Sequence, residues 1–283
     1  MKRRICFALI ACLLYLALIS FVPLLDRLVL FPSTAPIDAA GAARRTIAVG
    51  SGEVEMWTAA SSKARAAGRT ESYVLRFYGN ADRPERWVAA EAEMFEERAL
   101  EVWGVNYPGF GGSTGPARLA HVGPAALAAF DAIKRAAGDR PIIIFGTSFG
   151  TIAALHIAAQ RPVAGLILQN PPALREMILR DFGWWNLWLL AGPLSQKVPA
   201  ALDSIANAKI ARARAVFLLA EKDEVVAPRF QALVADAYAG EKRVVTLAGA
   251  RHNDPLGAAE MVSLQRAIDW LIPLASSESR TQE

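Results

Sequence analysis

The chain has 283 residues, 53% of them hydrophobic and only 20% charged, with a formal net charge of +4. That suits one large α/β core with a small insertion and leaves little room for a second full domain. The basic residues are scattered among acids rather than gathered into stripes with aromatic residues between them, which argues against nucleic-acid binding, and both cysteines, Cys6 and Cys12, lie in the N-terminal apolar segment, so the body has no thiol for a disulfide, a metal or covalent catalysis.

Met1-Lys2-Arg3-Arg4 precedes an uncharged run over residues 5–25, about long enough to cross a bilayer at ~1.5 Å per residue. Cleavable signals have apolar regions of about 7–15 residues and end at small residues. This run is longer and lacks a clear Ala-x-Ala-like site, so residues 1–27 are expected to be a membrane anchor rather than a removed signal. The cationic start places the N-terminus in the cytoplasm and the body on the periplasmic or extracytoplasmic side. Leu9-Ile10-Ala11-Cys12 looks like a lipoprotein processing box, with apolar fill in a spanning helix as the plainer account of both cysteines.

The body is expected over residues 28–275, followed by a polar tail at 276–283. Residues 33–43 read as a Pro/Gly/Ala-rich linker, and residues 45–49 and 54–59 as a hairpin around Gly50-Ser51-Gly52. Residues 61–70 read as a polar loop, 73–78 as a buried strand, 85–98 as a helix, 101–105 as a strand and 124–137 as a helix. A strand at 141–145 and a helix at 151–159 follow, then strands at 163–168, 215–219 and 244–247 and helices at 228–239 and 258–271. Strands made of continuous apolar runs and alternating with helices predict a mostly parallel sheet covered on both faces.

The sequence Gly146-Thr147-Ser148-Phe149-Gly150 joins the strand at 141–145 to the following helix. A buried strand that delivers a serine into a helix start is a nucleophile elbow, with glycines two before and two after so that neighbouring elements can approach closely. The turn exposes the Ser148 hydroxyl and leaves the N–H of Phe149 at a helix N-terminus, where it can face an oxyanion. A serine needs a base, and the base needs an acid to hold its tautomer. Of the three histidines, His156 lies eight residues along the same helix and reads as a packed core residue. His121 reads as a loop or cap residue. His252, in Gly249-Ala250-Arg251-His252-Asn253-Asp254 after a strand, is the candidate base, because chemistry in a doubly wound sheet gathers at the strands' C-terminal ends. Asp223, directly after the strand at 215–219, is the candidate acid, with Glu221 and Glu224 as competitors; Asp254 is too near His252 in sequence. The second oxyanion donor is expected from Tyr78-Gly79-Asn80-Ala81-Asp82, at the N–H of Asn80.

With these parts in place, residues beyond the N-terminal run resemble the α/β-hydrolase superfamily over about 240 residues. Within it the chain resembles the membrane-anchored α/β-hydrolase domain-containing proteins, through Leu28-Val29-Leu30-Phe31-Pro32-Ser33, Gly79-Asn80-Ala81, Asn106-Tyr107-Pro108-Gly109-Phe110-Gly111-Gly112-Ser113 and Glu221-Lys222-Asp223-Glu224-Val225-Val226-Ala227-Pro228. The resemblance implies an α/β-hydrolase fold and a serine hydrolase with no metal or organic cofactor. Members often carry His where Tyr78 stands and Arg where Pro108 stands.

Residues 171–208 form the one stretch long enough for a small lid, and Trp184, Trp185 and Trp188 cluster within it. They suggest an apolar acyl site or membrane-facing rim, with a helix packed over the sheet edge as the alternative. The expected activity is hydrolysis of a small-molecule or lipid-like ester or thioester through Ser148, His252 and Asp223. A peptidase or amidase on the same fold is one alternative, and a non-catalytic membrane-tethered interaction protein is another.

Overall fold

A computed structural model describes residues 2–21, 23–50, 52–95, 97–184 and 188–272. The expected tail at 276–283 and Trp185 lie outside them. Eight strands, β1 (Ala43–Val49), β2 (Gly52–Ala60), β3 (Ser72–Phe77), β4 (Leu100–Val105), β5 (Ile142–Thr147), β6 (Gly165–Gln169), β7 (Ala215–Ala220) and β8 (Lys242–Leu247), form one sheet in the order β1-β2-β4-β3-β5-β6-β7-β8. β1 and β2 make the hairpin expected around Gly50-Ser51-Gly52, with Val49 opposite Gly52, and β2 also runs antiparallel to β4. Every other pairing is parallel.

The central strands are buried because helices cover both faces. On one side Leu75, Phe77, Ile144, Leu168 and Phe217 pack with residues of α5 (Leu119–Ala137), α6 (Phe149–Gln160), α9 (Ser204–Ile210) and α10 (Pro228–Ala237). On the other, Val74, Ile143, Ile167 and Val216 pack with residues of α4 (Val88–Met94) and α11 (Ala258–Leu271). Each Leu, Ile, Val or Phe fully removed from water in these layers contributes about 1.5–3 kcal/mol. This burial holds the parallel strands in register and lines up their C-terminal ends.

Three local expectations change. Residues 61–70 are not a plain loop but contain α3 (Ser62–Ala67): the Ser61 hydroxyl accepts from the Ala64 N–H at 3.1 Å, and Gly68 ends the helix with a left-handed φ of 63°. The helix expected at 85–98 is a 3-10 turn (Pro84–Arg86) followed by the short α4. α5 starts a turn before Pro124, so His121 sits in its first turn rather than in a loop. The reason is remote in sequence: Asp26 Oδ1 accepts from the Leu119 N–H at 2.8 Å and caps the helix.

The N-terminal run is also corrected. α1 (Lys2–Phe21) ends before Pro23, and Leu24 and Leu25 belong to a separate helix, α2 (Leu24–Val29), whose Leu25 is buried in the core of the body. Proline cannot donate within a continuing helix, which divides the apolar run. Among the described residues no helix is long and apolar enough to cross a membrane. Residues 171–208 fold mainly as α7 (Leu174–Phe182), α8 (Ala191–Gln196), a 3-10 turn and most of α9. Trp184 and Trp188 are 69% and 53% exposed, so neither is buried against the sheet edge.

His156 is buried in α6, as expected of a core residue. Burial holds its imidazole below the ordinary value of 6.5; a hydrogen bond with the Asn207 side chain opposes the shift and the Arg161 charge adds to it. Above pH 6.5 both folded and unfolded chains carry it neutral. Below that, the unfolded chain takes up a proton that the folded chain resists, so this residue's effect is to lower stability as pH falls through 6.5 until the folded pKa is passed. His156→Gln is therefore expected to lose less stability than wild type between pH 7.5 and 5.5, read from urea midpoints at the two pH values. Equal losses would exclude this source of acid sensitivity.

Candidate active site

β5 passes into α6 through a single residue, Ser148, which has a φ of 51°. A left-handed non-glycine residue costs on the order of 1–3 kcal/mol and persists only where its surroundings hold it. Here the Ser148 N–H donates to the Gln169 carbonyl at 2.8 Å. The flanking glycines meet the close approach their positions require. A Cβ on Gly146 would lie 2.6 Å from the Gly150 carbonyl oxygen and the Thr151 backbone, and one on Gly150 would run into the Phe77 carbonyl of β3.

The turn aims the Ser148 hydroxyl at His252, whose Nε2 is 3.0 Å from Oγ. His252 Nδ1 is 2.7 Å from Asp223 Oδ2. All three residues are buried. Asp223 stands just past β7, and its Oδ1 accepts from the N–H groups of Val225 at 2.9 Å and Val226 at 2.7 Å. These bonds fix the orientation of the carboxylate and leave Oδ2 facing the imidazole. The competitors serve the histidine loop instead: Glu221 Oε2 accepts from the Gly249 N–H at 2.7 Å, and Glu224 Oε2 lies 3.5 Å from the His252 nitrogen of the main chain. Asp254 accepts from the Arg251 N–H at 2.8 Å, and His121 Nδ1 is 3.2 Å from the Pro116 carbonyl oxygen.

Two further residues support this chain of bonds. Gln231 Nε2 donates to Asp223 Oδ2 at 2.9 Å and to the Val226 carbonyl at 2.7 Å, closing the acid's turn. Asn170 Nδ2 donates to the His252 carbonyl at 3.2 Å, while its Oδ1 accepts from the Ala220 N–H at 3.0 Å, so it ties the histidine loop to the end of β7. Asn170 had a sequence signal, a polar residue directly after a buried strand and before Pro171-Pro172. Gln231 had none, because it lies one turn inside α10.

The Phe149 N–H stands at the first position of α6 beside the serine. The expected second donor lies in the loop after β3, where a Cβ on Gly79 would be 4.0 Å from the Ser148 Cβ. Below it, the Tyr107 hydroxyl donates to the Tyr78 carbonyl at 2.9 Å. Tyr78 itself is buried, donates to Glu91 Oε2 at 2.6 Å and lies under the Arg76 guanidinium, 4.4 Å from its ring centre. Burial, reinforced by the neighbouring Glu91, raises its phenol far above the usual range, so it is a neutral prop. The Asn106–Ser113 stretch that carries Tyr107 is itself tied to β2: Asn106 Nδ2 donates to Glu55 at 2.7 Å and the Gly112 N–H donates to Glu55 at 2.7 Å. Among the described residues, no group of three or more His, Cys, Asp or Glu side chains is placed to hold a metal ion.

A serine on a sharp strand-to-helix turn, with histidine and aspartate on the loops after β8 and β7, is an arrangement for nucleophilic attack on a carbonyl. Residues 74–198 match the model of the α/β-hydrolase-fold family. The chain has the α/β-hydrolase fold. An uncharacterised protein of Mycobacterium tuberculosis, recorded for the CDC 1551 / Oshkosh and H37Rv strains, is 28% identical over 236 residues, covering 81% of this chain and 80% of the relative. Among solved structures of this fold, a membrane phospholipase A described as a bacterial virulence factor is 18% identical with a TM-score of 0.58, over 97% of this chain and all of that one. An esterase of Pyrococcus furiosus is 11% identical with a TM-score of 0.60, over 86% of this chain and 97% of the esterase. At these identities the two likenesses bear on the α/β-hydrolase fold alone.

Proposed function

We propose that this α/β-hydrolase-fold chain is a serine hydrolase that cleaves carboxylic ester or thioester bonds through an acyl-enzyme on Ser148. The observation that carries the reading is the unbroken relay from Ser148 Oγ to His252 Nε2 at 3.0 Å and from His252 Nδ1 to Asp223 Oδ2 at 2.7 Å. With Nδ1–H donating to the carboxylate, Nε2 is free to accept the hydroxyl proton as Oγ attacks the acyl carbon. The carbonyl oxygen gains negative charge, which the N–H groups of Phe149 and Asn80 stabilise. The imidazolium then gives its proton to the departing alcohol or thiol, and water attacks the ester on Ser148 by the same route in reverse. The apolar Trp184 and Trp188, exposed in the 171–208 segment, suit a substrate with an aliphatic part.

The test is labelling of wild type, Ser148→Ala and His252→Ala with a fluorophosphonate probe, beside hydrolysis of nitrophenyl acyl esters of graded chain length and the matching anilides. Labelling of wild type alone, with ester cleaved well ahead of anilide, is the expected result. A folded wild type that takes no probe would overturn the hydrolase reading, and a preference for anilides would move it to an amidase.

A further inference from the structure

The segment after Pro23 reaches into the neighbourhood of the nucleophile. Leu25 and Leu30 are buried in the body's core, and between them Asp26 caps α5 through the Leu119 N–H. Further on, the Ser33 carbonyl accepts from the Gly111 N–H at 2.9 Å and from Arg83 Nη1 at 3.2 Å, and the same Arg83 nitrogen donates to the Ala35 carbonyl at 2.6 Å. Residues 25–35 are thus a strap fastened to the body at several separate points. Asn80 is clasped against its middle: the Asn80 Nδ2 donates to the Val29 carbonyl at 2.6 Å, and the Phe31 N–H donates to the Asn80 carbonyl at 3.0 Å. The Val29 carbonyl belongs to the last turn of α2, where a helix offers no N–H of its own, so the side-chain amide supplies a partner the helix lacks.

These bonds matter because of what lies on the other side of Asn80. Its N–H belongs to the peptide joining it to Gly79, and Gly79 sits against Ser148 with no Cβ to limit its rotation. The strap thus holds Asn80 by its side chain and by the carbonyl of the peptide that follows it. We infer that residues 29–31 are a positioning element of the oxyanion site: the Asn80 amide, seated on the Val29 carbonyl, fixes the Gly79–Asn80 peptide so that its N–H faces the oxygen that gains charge beside Ser148. The inference rests on the serine-hydrolase reading above and adds to it a role for the strap.

Asn80→Ala keeps the backbone N–H but removes its clasp. Because the donor is misaimed rather than deleted, kcat for a nitrophenyl ester is expected to fall about 10- to 100-fold, less than the 10²–10³ typical of losing an oxyanion donor, with KM near wild type. Amide exchange over residues 78–82 rises and the melting temperature stays within a few degrees. Asn80→Asp, which sets a carboxylate against the Val29 carbonyl, falls at least as far. Leu30→Ala loosens the strap without touching Asn80 and gives a smaller loss of kcat with the same unchanged KM. A kcat at the wild-type level in Asn80→Ala, or a change confined to KM or melting temperature, overturns the inference. If wild type neither turns over ester nor takes a fluorophosphonate, the hydrolase reading fails by itself; the exchange measurement then still judges the clasp, and unchanged exchange at 78–82 overturns it.

Discussion

Ser148→Ala is expected to lower kcat for ester hydrolysis by about 10⁶, and a Ser148→Ala, His252→Ala double variant to be no slower than the worse single one. The two side chains share one proton at 3.0 Å, so once either is gone the other has nothing to do. A residual rate on the order of 10³–10⁴ above the uncatalysed reaction should survive in all three, since the N–H groups of Phe149 and Asn80 belong to the main chain and remain. Steady-state kinetics with a reactive nitrophenyl ester checks this. Multiplicative losses in the double variant would mean that Ser148 and His252 act separately, and the relay would be wrong.

Asp223→Asn is expected to cost about 10⁴ in kcat while leaving KM close to wild type and lowering the melting temperature by only a few degrees. The reason lies in the carboxylate's other partners. Val225 and Val226 both donate to Oδ1, so an asparagine keeps its oxygen there and turns its NH2 toward His252, giving up the bond from Gln231 Nε2, which still donates to the Val226 carbonyl. Facing a donor, His252 Nδ1 must become the acceptor, which places the ring proton on Nε2, the nitrogen that has to receive the Ser148 proton. The fault is thus in the tautomer rather than in position. Fluorophosphonate labelling slowed by about 10⁴ in a variant that still unfolds in one cooperative transition is the expected pattern. Rapid labelling would show that another group, Glu224 being the nearest by sequence, orients the imidazole.

The residues that meet at this site were legible because each stands at one kind of place. Ser148, Asp223 and His252 follow β5, β7 and β8 at their C-terminal ends, and a parallel sheet brings those ends to one edge. A run of apolar residues followed by glycine or a charged turn marks such places without any knowledge of tertiary contacts. What was not legible depends on partners far away in the chain. The start of α5 is set by Asp26, 93 residues earlier, so the local signal at Pro124 misled. Asn170 stands out as a polar residue after a buried strand, but its partner, the His252 carbonyl, lies 82 residues on, and Gln231, on the helix after the acid's turn, gives no local sign of its bond to Asp223. The uncharged N-terminal run concealed a boundary at Pro23, because hydropathy cannot tell apolar residues of α1 from Leu25, which is buried in the body. The polar stretch at 61–70 hid a helix, since exposure and helicity are compatible when a serine caps the first turn.

The 104 residues separating Ser148 from His252 have a consequence for the chain as it is made. At roughly 5–20 residues per second on the ribosome, the hydroxyl is polymerised roughly 5–20 s before the imidazole that would take its proton. During that interval the growing polypeptide holds a serine with no base beside it, in an elbow whose outer strands β7 and β8 have not yet been added. On the serine-hydrolase reading, Ser148 of a nascent chain is thereby kept from being acylated early, and its reactivity arrives together with the last two strands of the sheet.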